Sequence, residues 1–173
     1  MRFVACLSLL LVSAPPVLAF EIEEIGTLQA TFAAEEITQP TVIATSGGQR
    51  SATAFMAVIG GTLYSLSLAG HSMDNSRLDI QASYMQVQPS PQATPFDQTI
   101  SYSPNGTGER WTSEDAPTRP NLTFTTLEMD GEEGRAVGSF SALLCFAESY
   151  GSDPDTSNCR QIVGSFDTRF FVE

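Results

Sequence analysis

The chain has 173 residues, with eight arginines, no lysine and twenty acidic residues, and a formal charge of −12 at pH 7. That balance argues against nucleic acid as a partner, because binding a phosphate backbone relies on clustered cations. It also opposes anionic membranes, while the same field attracts cations or a basic protein partner.

The first segment has the layout of a signal peptide: Met1-Arg2, an apolar run from Phe3 to Val12, the breaking pair Pro15-Pro16, and small residues ending at Ala19. The run is shorter than the about 20 residues that a membrane-spanning helix needs. Residues 1–19 are therefore expected to be removed, taking Cys6 with them, and no later segment is apolar enough to span. A single β-rich domain, residues 20–173, is expected to remain. Removing nineteen residues from 173 leaves 154, enough to bury a core without a structural metal.

Alternation with period two dominates this domain, which predicts an all-β fold. Ile22, Gly26, Leu28, Ala30 and Phe32 share one face of a first strand, and Thr41 to Thr45 reads as a second, ended by Ser46-Gly47-Gly48. Thr53–Ile59 and Thr62–Ala69 flank Gly60-Gly61, the signature of a hairpin with a two-residue turn. The register expected from that turn pairs Ile59 with Thr62, Phe55 with Leu66 and Thr53 with Leu68. The next strand places Leu78, Ile80, Ala82 and Tyr84 on one face.

Between Pro89 and Pro120 lie six of the ten prolines, a density that central strands do not tolerate. This stretch is expected to be a surface excursion holding at most one short hairpin, Gln98–Tyr102 against Glu109–Trp111, turned at Asn105-Gly106. Order resumes at Leu122–Thr125, and Asp130–Gly134 turns the chain into a closing pair of strands. That pair contains Gly138-Ser139-Phe140 and Gly164-Ser165-Phe166. If it is antiparallel with Cys145 facing Cys159, Phe140 falls opposite Gly164 and Phe166 opposite Gly138, and each ring repairs its glycine's missing packing. Export favours oxidation of the two cysteines. Closing their loop is worth about 3 kcal/mol in the chain-entropy model. An antiparallel β-sandwich is the expected architecture, with a small β-barrel as the alternative.

Candidate chemistry is sparse. His71, the sole histidine, would have to be the base of any triad, oriented by Asp74 or Asp79, and no Gly-x-Ser-x-Gly elbow accompanies it. The acidic runs Glu21-Glu23-Glu24, Glu35-Glu36 and Asp130-Glu132-Glu133 offer paired carboxylates without a fixed separation. Asp153, Asp155 and Ser157 alternate as oxygen ligands suited to calcium, although an EF-hand's glycine and closing glutamate are missing. Trp111 and Tyr102 form a candidate recognition patch, unless Trp111 folds back over the sheet. Asn105-Gly106-Thr107 and Asn121-Leu122-Thr123 match the glycosylation sequon, which matters only in a eukaryotic secretory host.

The functional expectation is an exported, secreted or periplasmic, non-enzymatic binding module without a cofactor, acting on an unknown protein or small ligand. The alternatives are a barrel holding an apolar ligand against Phe55, Tyr64, Leu66 and Leu68, and a hydrolase using His71 or paired carboxylates.

Overall fold

A computed structural model describes residues 20–106 and 108–173; residues 1–19, expected from the sequence to be a signal peptide, lie outside them. Eleven strands and no helix make up the described chain: β1 (Phe20–Phe32), β2 (Glu35–Ser46), β3 (Gln49–Ala52), β4 (Ala54–Ile59), β5 (Leu63–Ala69), β6 (Arg77–Met85), β7 (Asp97–Ser103), β8 (Arg110–Thr112), β9 (Asn121–Asp130), β10 (Glu133–Ala147) and β11 (Asp155–Val172). They form one mixed sheet in the order β3-β2-β1-β11-β4-β5-β6-β7-β8-β10-β9, and β11 also pairs with β10. The path from β11 through β4, β5, β6, β7, β8 and β10 thus returns to β11. Ten of the eleven pairings are antiparallel. The exception to the expected all-antiparallel arrangement is β11 with β4, which run parallel at Phe171↔Phe55 and Val172↔Met56.

The first hairpin is longer than the sequence suggests. β2 begins at Glu35 and not at Thr41, and the turn is Ala33-Ala34, with φ of 51° and 68°. Left-handed values at both central residues define the turn whose twist matches two antiparallel strands. The inward face of β2 is partly polar, which hid its period. Ile37 is followed by Gln39 and Thr41, buried to 1% and 0% exposure. Gln39 Nε2 donates to Ser76 Oγ at 2.8 Å, and its Oε1 accepts from the Leu78 amide at 2.8 Å. The Thr41 and Thr168 hydroxyls meet at 2.5 Å across Gly26, which pairs with Thr41 on one side and Thr168 on the other. Gly26 is required there, since a Cβ would run into Thr168.

The expected register of the next hairpin is corrected by one residue. Ile59 pairs with Leu63, Met56 with Leu66 and Ala54 with Leu68, so Gly60-Gly61-Thr62 is a three-residue loop. A one-residue slip exchanges the faces of a strand. Ala54 and Met56, not Thr53 and Phe55, therefore enter the core, where Leu66, Leu68, Leu78, Ile80 and Leu144 are fully buried.

The proline-rich excursion is also corrected. Its hairpin exists, with Tyr102↔Trp111 and Ser101↔Thr112, but β7 pairs with β6 from Arg77↔Ser103 to Ser83↔Asp97 and β8 bridges to β10. Both belong to the sheet, and the prolines lie before, between and after them. The closing strands take the expected register: Cys145↔Cys159, Phe140↔Gly164 and Gly138↔Phe166. A Cβ on Gly138 would meet Phe166 Cζ at 2.6 Å, and one on Gly164 would meet Phe140 Cζ at 2.5 Å. Gly134↔Phe170 is a third pair of this kind, not anticipated from the sequence.

Candidate functional site

At Glu24/Gly26 a bulge places Ile25 out of register between β1 and β2. Beyond it toward the N-terminus β1 keeps β2 as its partner but no longer pairs with β11, which takes β4 instead two residues past Arg169. A cleft of about 660 Å³ lies against this departure. Ile25 and Gly26 form one wall, Glu128 and Asp130 of β9 with Glu133, Gly134 and Arg135 of β10 form the other, and Asp167 and Arg169 of β11 contribute between them. The guanidinium of Arg135 donates to both oxygens of Asp167 at 3.1 Å, and Arg169 Nη2 donates to Glu23 Oε1 at 2.6 Å. No ion pair among the described residues engages Glu128, Asp130 or Glu133.

Two further hollows adjoin it along the outward face of the β2-β1-β11-β10-β9 layer. A smaller hollow shares Asp167 with it and adds Thr27, Gln29, Val137 and Ser165; another of about 550 Å³ shares Gln29 and Ser165 and reaches Thr38 on β2. Successive registers align Thr38, Gln29, Ser165, Ser139 and Thr123 in one row across five strands. All five are exposed hydroxyl or amide side chains. Strand spacing of about 4.8 Å makes this row a strip about 19 Å wide, rich in donors and acceptors and free of large side chains. Such a surface can hold a polar, extended molecule by many hydrogen bonds, and its deep end adds charge.

The residues singled out from the sequence gather mostly at the opposite end of these strands. Trp111 is 9% exposed, so its ring is packed rather than offered to solvent. Phe32 meets Trp111 and Tyr102 edge-on at 5.3 and 5.4 Å, Phe146 lies 5.4 Å from Trp111, and the Arg160 guanidinium sits 4.7 Å above the indole. Burial, then the nearby Asp74 and Glu35 carboxylates, raises the Tyr102 pKa. This aromatic cluster is flanked by the Cys145–Cys159 disulfide, whose Cα atoms are 4.0 Å apart.

His71 is exposed, and its backbone amide donates to the Pro40 carbonyl at 2.9 Å. The acids proposed as its partners are engaged elsewhere. Asp74 accepts from the Ser76 amide, a bond that holds its carboxyl below the usual range, and both Asp79 oxygens lie 2.9 Å from Arg77 Nε. Asp155 opens β11, so the loop after β10 is shorter than expected. Its Oδ1 accepts from the Ser157 amide at 2.9 Å and the Ser157 hydroxyl at 2.6 Å, lowering its pKa. Among the described residues no three His, Cys, Asp or Glu side chains converge as metal ligands. The sequence reading missed the outward face of the closing strands because its serines and threonines carry no motif; only the register places them in a row.

Comparison with protein-family models, with curated proteins and with solved structures finds no match for this chain.

Proposed function

We propose that this is an exported, secreted or periplasmic, non-enzymatic binding module whose ligand lies on the outward face of the β2-β1-β11-β10-β9 layer. The observation that carries the reading is the succession of three adjoining hollows, linked by Asp167, Gln29 and Ser165, from the Glu128-Asp130-Glu133 end to the Gln29-Ser165 row. The disulfide supports the extracellular part of the reading. The hydrogen-bonded circuit from β11 through β4 and β10 supports the barrel alternative as an architecture. Its interior is packed with Leu66, Leu68, Ile80, Ile100 and Leu144, none of which lines a described cleft, and this favours a ligand on the outside. Calcium at Asp153, Asp155 and Ser157 remains a separate proposal. It requires the Asp155 carboxylate to exchange its Ser157 bonds for the ion.

The test uses arrays of oligosaccharides and of peptides of varied charge, with wild type, Ser165→Trp and Gln81→Trp compared side by side. Gln81 is exposed on β6, outside the face, and serves as the control. At least one ligand class should bind wild type and control alike and bind Ser165→Trp about tenfold more weakly, a loss of about 1.4 kcal/mol. Hits that ignore Ser165→Trp would refute the assignment of the face.

A further inference from the structure

We infer that the deep end of this face takes a basic, extended protein segment, which adds as a strand to the free edge of β1. This rests on the reading of the cleft as a binding surface and names the partner class for it. Residues Phe20 to Glu24 pair with β2 on one side, and no strand among the described residues pairs with the other. Their outward N–H and C=O groups form an open template for one more strand. The bulge at Ile25 ends this edge, and Ile25 itself lines the 660 Å³ cleft. A strand laid along β1 therefore runs directly into it.

Charge and apolar surface along this edge define what fits. Glu21 and Glu24 are exposed on the edge, and Glu128 and Asp130, which no ion pair among the described residues engages, line the cleft beyond it, whereas Arg169 and Arg135 of the cleft are held by Glu23 and Asp167. Phe20 and Ile22 are 65% and 53% exposed, sharing one side of the strand. The matching segment alternates lysine or arginine with apolar residues. A second copy of this chain is the wrong occupant, since pairing two such edges sets glutamate against glutamate in a molecule of charge −12.

The probe is a short synthetic peptide alternating lysine and valine, titrated into the exported chain, with an N-methylated peptide of equal charge and an all-glutamate analogue beside it. Binding should protect amides of Phe20–Glu24 from hydrogen exchange and weaken as salt rises. Loss of several ladder hydrogen bonds should make the N-methylated peptide about tenfold weaker or worse. A double Glu21→Lys, Glu24→Lys variant should weaken it similarly, with unchanged thermal unfolding as the control for folding. Equal binding of the N-methylated peptide, protection confined to other strands, or a dimer joined at this edge would each overturn the inference. If the lysine peptide fails while another ligand is lost with Ser165→Trp, strand addition falls and the binding face stands; if both fail, so does the face.

Discussion

Three phenylalanines of the closing hairpin work as covers for glycines. Phe140, Phe166 and Phe170 are 4%, 2% and 0% exposed, and each ring occupies the volume that a side chain on its cross-strand glycine would need. Gly164→Ala should therefore cost about 1–3 kcal/mol by overpacking against the Gln29 carbonyl and the Phe140 ring, measured by urea unfolding. Gly164 is not among the glycines of positive φ, so a cost undiminished in a Phe140→Ala background would place the clash on the Gln29 carbonyl and not on the ring. Tyr84 presents the opposite case: its ring is 1% exposed and its hydroxyl has no hydrogen-bond partner. Burial pushes the Tyr84 pKa up to about 12. The unfolded chain ionises this group near pH 10, so stability should be unaffected below that and fall between pH 10 and about 12, by at most about 1.4 kcal/mol per pH unit. Tyr84→Phe should abolish that share of the alkaline slope. It should also leave stability at pH 7 equal or about 1 kcal/mol higher, because an unsatisfied buried hydroxyl is removed.

The β1–β2 hairpin turns on two alanines in left-handed conformation, where L-residues with a Cβ are disfavoured by about 1–2 kcal/mol each. Ala33→Asn with Ala34→Gly supplies the residues this turn prefers and should stabilise the protein by about 1–2 kcal/mol, read as a higher urea midpoint. No gain would mean that the turn is not of this type. The β4–β5 hairpin allows a test of register: Met56→Ala should cost about 2–5 kcal/mol and Phe55→Ala clearly less, because Met56 is 0% exposed and Phe55 is half-buried on the other face. The register derived from the sequence expects the reverse order. That hairpin was legible as an element and wrong in phase, because Gly60-Gly61 admits a two- or three-residue loop and the apolar residues of 54–59 occur on both faces. The register of β10 on β11 was legible, since the cysteines and the Gly-Ser-Phe repeats each imply the same pairing, but the start of β11 at Asp155 and the Gly134↔Phe170 pair were not. β2 was half legible, its inward Gln39 and Thr41 being polar and satisfied only by partners far away in sequence.

At the scale of the whole molecule the sheet sorts its two faces by polarity. Leucine, isoleucine and phenylalanine fill the inside, and the outside of the closing layer carries serine, threonine and glutamine in a row no linear motif announces. The aromatic residues that drew attention in the sequence, Trp111 and Tyr102, brace the end where the disulfide and Phe32 meet. The proposed binding face was illegible in the sequence for that reason: it consists of ordinary polar residues made neighbours by strand order β2-β1-β11-β10-β9. Its deep end exists because the Ile25 bulge lets β1 leave β11. The most direct test of this account is a map of backbone amide shifts on titrating a ligand found in the array screen. Shifts should concentrate at Thr27, Gln29, Val137, Ser165 and Asp167, extending to Glu128; shifts centred on His71 and Tyr150, or on Leu66 and Ile80 inside the sheet, would contradict it.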